Sequence, residues 1–331
     1  MVRTGAHVYV KYGWEGTTYG VLDATGSGQV ADKKFGLQDK MSTLSLTNNK
    51  VNLAKLNQNT IDRFAYGQQQ GSASVGFTLS NPWLFGMVLS PPVSSTGSSP
   101  YTHTWQNSTL LPEARTIQME VGISGASTPA NVVRTLKGGI VGAVSISTSV
   151  GGMVECTTDI TYGQETAPST PLSAPTLPSQ ESPYTFAHAE LYFGGIVVAQ
   201  CQDVSLSLAQ NAELLYGLNS HAAVEAYKRV LDITGSFKAA WKDKVLLQHL
   251  LDQLLANGTG ETIGGSTELE FKLTFTKSAT DEIITINCYG LTINDLGISG
   301  LEPVEVLFSD VSFTAQEVKV VAKSTMATEN L

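Results

Sequence analysis

The sequence is short of charge, of cysteine and of long apolar runs, and each shortage excludes something. Asp, Glu, Lys and Arg make up 15% of 331 residues against 42% hydrophobic. That is too little charge and too much apolar content for a disordered chain. No apolar run approaches the ~18 residues of a membrane span. Met1–Tyr12 has no basic segment followed by a long apolar one, so no secretory leader is expected. Cys156, Cys201 and Cys288 are odd in number, far apart and without CxxC spacing. They predict no disulfide framework, a reducing assembly compartment and inert thiols among apolar neighbours.

Reactive constellations are also missing. His7, His103, His188, His221 and His249 form neither HxH nor HExxH. His249 falls between apolar positions and reads as a packed or partly exposed side chain. Gly122-Ile-Ser-Gly125 and Gly297-Ile-Ser-Gly300 lack the GxSxG spacing and read as turn glycines. Ala24-Thr25-Gly26-Ser27-Gly28 lacks the GK[ST] ending of a phosphate loop. Asp281-Glu282 reads as a hairpin turn. Glu155 with Asp159 finds a counterpart in Glu305 with Asp310, which favours a shared structural role. No nucleophile, base and orienter come together. No catalytic, cofactor-binding or metal-ligating residue is assigned, and the chain reads as a non-enzyme.

What is present is glycine, serine and threonine in a chain with few helical patterns, which leans toward β structure. The charge is uneven. Residues 1–165 carry 11 Lys/Arg and 10 Asp/Glu, whereas residues 166–331 carry 9 and 19, giving the net −9. A bulk acidic protein does not hold DNA phosphates, though it can surround DNA without adhering.

The chain is also duplicated. Leu44-Ser45-Leu46-Thr47-Asn48-Asn49 returns as Leu206-Ser207-Leu208-Ala209-Gln210-Asn211, an offset of 162. At that offset Asn81-Pro82 faces Asp243-Lys244, both reading as helix starts with an N-cap residue. Lys244–Ala256 has leucines at helical spacing and a cap at Asn257-Gly258, while the first helix ends near Leu89. Alternating Ile117–Ile123 matches Leu269–Phe275. Val154–Tyr162 matches Val304–Phe313 with one extra residue, and Gln164-Glu165 matches Gln316-Glu317. Thr166–Pro183 holds five of the twelve prolines and reads as an extended linker. The expected organisation is residues 1–165, a linker at 166–183, and residues 184–331. Ser90–Pro100 and Asp23–Lys40 read as long irregular loops.

The opening Tyr12-Gly13-Trp14-Glu15-Gly16-Thr17-Thr18-Tyr19-Gly20 resembles the glycine–aromatic–glutamate start of tail tube proteins of long-tailed bacterial and archaeal viruses. Leu44–Asn49, the Gly71–Phe77 strand before Trp83, and Val304–Phe313 extend the likeness over most of the chain. The resemblance implies a mainly β fold: two tandem tube domains, each a barrel-forming β-sandwich with one flanking helix. It implies a structural virion protein, three chains per pseudo-sixfold ring, and rings stacked into a tube for genome delivery. It implies self-assembly, contact with tail terminator, tape measure and baseplate proteins, and double-stranded DNA passing without specific binding. No cofactor and no membrane partner are implied, and the place is the virion tail, assembled in the host cytoplasm. The motif around Trp14 has no evident twin in Tyr184–Gln200, so the copies are expected at non-equivalent ring positions. The alternatives are a distal tail or baseplate ring protein of the same fold, and a surface module binding carbohydrate through Trp105 or Tyr101.

Overall fold

A computed structural model describes residues 8–16, 18–22, 33–54, 61–89, 94–107, 115–124, 131–167, 182–240, 270–278, 281–299 and 307–325. Up to residue 166 its elements are β1 (Val8–Trp14), β2 (Leu37–Ala54), β3 (Ile61–Thr78), α1 (Leu84–Leu89), β4 (Ser94–Thr96), β5 (Tyr101–Gln106), β6 (Ile117–Ser124), β7 (Asn131–Ser149), β8 (Glu155–Tyr162) and β9 (Gln164–Thr166). Beyond it come β10 (Ala189–Phe193), β11 (Ile196–Val197), β12 (Cys201–Ala209), β13 (Glu213–Tyr216), β14 (Ala223–Tyr227) and β15 (Asp232–Ala240). The last are β16 (Phe271–Ser278), β17 (Glu282–Tyr289), β18 (Thr292–Ser299), β19 (Phe308–Ala315) and β20 (Glu317–Ser324).

The fold is mainly β, as expected. One sheet has a main path β18-β19-β15-β12-β7-β8-β3-β2, with β1, β6 and β9 joined through β7. A second sheet runs β11-β10-β16-β17-β20-β5-β4. Alternation along β12, β15 and β19 sends Leu206, Leu208, Ile233, Phe237, Val311 and Phe313 inward. They meet Phe193, Phe271, Phe275 and Ile286 of the second sheet. The Phe271–Phe313 and Phe193–Phe237 ring centroids are 4.7 and 5.3 Å apart across the interior. At ~1.5–3 kcal/mol per buried large apolar side chain, this aromatic layer is a main source of cohesion.

The ladders show the duplication residue by residue. Leu44 opposes Ala73, and Leu206 opposes Gly235, an offset of 162 on both strands. Met119 opposes Leu136, and Phe271 opposes Cys288, an offset of 152. Gly138 and Gly290 share that offset and have φ of +64° and +62°. At this point in both copies the chain turns from one group of strands into the long sheet. A left-handed backbone there favours glycine. A bulge follows in each copy, between Val141 and Ala143 and between Ile293 and Asp295.

Several expectations need correction. Ser72 opposes Thr161 as Thr234 opposes Thr314, so the closing strands match at an offset of 153. Asp310 is therefore the counterpart of Thr157, not of Asp159. β10 lies on β16 with Phe193 opposite Phe271, as β1 lies on β6 with Tyr12 opposite Met119, so the opening strand does have a structural twin. Gly122 and Gly297 are strand residues, not turns. The Tyr9 ring lies where a Gly122 side chain would be. The long loop after α1 contains β4, which pairs with β5, and β5 pairs with β20. Strands from either side of residues 166–183 thus share both sheets, through β20·β5 and β12·β7.

The first helix is as short as expected. Asn81 Oδ1 accepts the Trp83 N–H at 3.2 Å, capping it, and all six of its residues are buried. Its last turn receives the Lys228 ammonium, 3.0 Å from the Met87 and Val88 carbonyl oxygens. The expected helix at Lys244–Ala256, His7, His249, Glu305 and most of the Thr166–Pro183 linker lie outside the described residues. Among the described residues, no helix is long and apolar enough to cross a membrane.

Candidate functional site

Residues that alternate with the core positions stand on the other face of the long sheet, and they are small, polar and acidic. A single cross-strand row reads Thr292, Thr314, Thr234, Ser207, Ser145 and Thr157, one hydroxyl from each of six adjacent strands. The neighbouring row reads Asp295, Ser312, Ser236, Ser205, Ser147 and Glu155. Ser205 and Ser236 hydroxyls are 2.8 Å apart, as are Ser45 and Ser72 further along the sheet. Side chains this short leave the backbone surface nearly bare, so the face is broad and shallow. A groove of about 620 Å³ runs over Ser147, Asp203, Ser236 and Asp310.

Among the described residues the charge on this face is negative. Glu155, Asp159, Asp203, Asp232, Asp295 and Asp310 stand on it, with Lys40 and Lys238. Lys238 lies opposite Asp203 on one side and Asp310 on the other, 3.9 Å from the Asp310 carboxylate. Its charge is thereby compensated locally. Hydroxyls and carboxylates without a cationic row offer phosphate no counter-charge, and a face of this kind repels a polyanion.

The opening motif has a structural task. Tyr12 and Trp14 are in the core, and the Arg115 guanidinium stacks 3.9 Å from the Trp14 ring. Glu15 is buried, yet its carboxylate accepts the Gly20 N–H at 2.9 Å, the Thr116 hydroxyl at 2.6 Å and the Gly138 N–H at 2.7 Å. Burial raises its pKa above the ordinary value, and those three donors pull the other way. Glu15 therefore ties the turn after β1 to the Gly138 corner of β7.

The remaining candidates are scattered. His103 is buried beside Trp83 and accepts or donates to Ser95 Oγ at 2.9 Å. His188 caps the turn at Thr185, and His221 meets the Gly67 carbonyl. Cys156 and Cys288 are buried, and burial holds both thiols protonated, Cys288 at about 12. Cys201 is half-buried, with its pKa likewise pushed up to about 12 by burial. Among the described residues no cluster of three or more His, Cys, Asp or Glu could hold a metal ion. Trp105 is fully buried and Tyr101 half-buried, so the pair offers no exposed aromatic platform for a sugar ring. The polar face itself leaves little trace in the sequence. Its one signal is period-two serine and threonine, as in Ser145-Ile-Ser147-Thr-Ser149 and Ser205-Leu-Ser207.

The described residues thus form a wide sheet with one packed face and one smooth polar face. Residues 5–315 match the family described as phage tail tube protein, and the chain belongs to that family. It is a structural tail protein of a virion, from a family that is not one of enzymes. No curated protein matches the sequence.

Proposed function

We propose that three chains close into a ring with pseudo-sixfold symmetry, and that stacked rings form the tube through which the genome is delivered. The observation that carries this reading is the β7·β12 ladder. It sets the two repeats side by side in one sheet, so one chain supplies two adjacent positions of a ring. Among the described residues, the main path of the sheet ends at β2 and β18, each paired on one side. Open edges invite pairing, and closure into a barrel removes them. The polar acidic face lines the channel, where DNA slides without sticking points. Each repeat is one tube domain, with residues 166–183 joining them. Terminator, tape measure and baseplate proteins meet the tube along its length or at its ends, with assembly in the host cytoplasm.

Electron microscopy of the concentrated protein, with native mass spectrometry of its smallest ring, tests the reading. Stacked tubes with three chains per ring are expected. Six chains per ring, or a persistent monomer, would contradict it. Single rings that never stack would favour a distal or baseplate component.

A further inference from the structure

We infer the residue register of the seam between chains, using the seam inside the chain as its template; the inference rests on the ring reading above. Inside the chain, Ser205 opposes Ser147, Leu206 opposes Ile146, Ser207 opposes Ser145, and Leu208 opposes Val144. The duplication assigns β2 as the counterpart of β12 and β18 as the counterpart of the second half of β7. The shared bulge positions, before Ala143 and before Asp295, fix the alignment of β18 without freedom to slide. The corresponding pairs between β2 of one chain and β18 of the next are Thr43 with Ser299, Leu44 with Ile298, Ser45 with Gly297, Leu46 with Leu296, and Thr47 with Asp295.

An independent observation points to the same strands. At the internal seam Ile146, Leu206, Leu208 and Val144 are 0–1% exposed. At the two ends of the described sheet path Leu46 is 40% and Ile298 43% exposed, although both alternate with the polar-face residues of their strands. The apolar half of the seam already exists on each edge and lacks only its cover. The opposite face of the pairing holds Thr43, Ser45, Ser299 and Gly297, so the smooth polar surface continues across the joint. A slip of one residue would turn Leu46 and Ile298 toward that surface, which the alternation forbids.

Disulfide trapping in assembled tubes reads the register. In a Cys201→Ser background, Thr43→Cys with Ser299→Cys is compared with Thr43→Cys with Gly297→Cys. The first pair sits directly opposite. The second is displaced by two residues, near or beyond the ~7 Å Cα limit for a disulfide, so about tenfold less cross-linking is expected. The in-register pair gives species of two and three chains on a non-reducing gel. Ile298→Asp, on an exposed side chain, is expected to keep the melting temperature of the monomer and to abolish rings. Tubes in which the displaced pair links as well, or neither pair links, overturn the register while leaving the ring intact. Normal assembly of Ile298→Asp would do the same. Wild-type protein without rings would overturn the ring reading itself and the seam with it.

Discussion

The two repeats solve one backbone problem with different chemistry. Where β1 crosses β6, Lys11 opposes Glu120, a fully buried ion pair at 2.9 Å, with the Tyr9 hydroxyl donating to the same carboxylate. Where β10 crosses β16, the same position holds Tyr192 opposite Lys272, half-exposed, the ammonium 5.0 Å from the ring centroid. Repeat one encloses its charges; repeat two leaves its cation at the surface. The pairing geometry is held by the ladder, and the side chains are free to diverge as long as each set is satisfied. A buried ion pair is tolerated because both members are present, so it contributes mostly through what its removal would expose.

The sharpest way to break the comparison is to remove one charge from each site. Glu120→Ala leaves Lys11 buried without its carboxylate and is expected to cost about 3–5 kcal/mol in denaturant unfolding. Lys272→Ala removes a half-exposed cation–π contact and should cost no more than about 1 kcal/mol. The double change Lys11→Met with Glu120→Leu should recover much of the loss, since neither charge then stays buried. Equal losses at both sites would show that the enclosed pair is no more critical than the surface one.

Glu15 sharpens it further, because among the described residues repeat two shows no buried carboxylate at the matching corner. Glu15→Ala removes the acceptor of three hydrogen bonds and should cost about 2–4 kcal/mol at pH 7. Glu15→Gln keeps part of the acceptor set and should cost about 1–2 kcal/mol. The pH dependence has a definite sign. The folded-state pKa is raised above 4.5, so the proton-dependent part of its contribution is full below that value and is lost as pH climbs through the folded value, while the hydrogen bonds to the carboxylate remain. Thermal melts across that range should show the wild type losing ground relative to Glu15→Gln as pH rises.

A narrower contrast concerns two glycines under aromatic rings. A Cβ on Gly71 would come 2.0 Å from the Tyr162 ring, and one on Gly235 would come 2.4 Å from Phe313. Tyr162 is pinned at its hydroxyl by the Ser45 carbonyl at 2.8 Å and Glu165 at 3.0 Å, whereas Phe313 is held by packing alone. Both Gly→Ala changes should destabilise by about 1–3 kcal/mol, with Gly71→Ala the worse. The reverse order in melting temperature would show that packing restrains Phe313 more than hydrogen bonds restrain Tyr162.

These sites also show what a sequence can reveal. The duplication was legible because Leu44–Asn49 and Ile117–Ile123 repeat side-chain alternation that a ladder must preserve. The twin of β1 was not, because Tyr12 and Phe193 share only bulk, while Lys11 and Tyr192 share nothing. The sequence aligns the closing strands two or three residues out of step because Tyr162 and Phe313 look alike. Each covers a glycine on the adjacent strand, but at different rungs. Trp105 read as exposed because one aromatic on a short strand gives no sign of which sheet will cover it. The polar face was hidden for a further reason. Its rows run across strands distant in sequence, and only strand order brings Thr292 and Thr157 into one line.

On the proposed function this face lines a channel closed by three duplicated chains. A cryo-EM reconstruction of the assembled tube tests it most directly. Three chains per ring are expected, with Ser145, Ser207 and Thr234 facing the lumen and a negative potential set by Asp203, Asp232 and Asp159. A lumen lined instead by the second sheet, or by rings of uncompensated lysine and arginine, would contradict it.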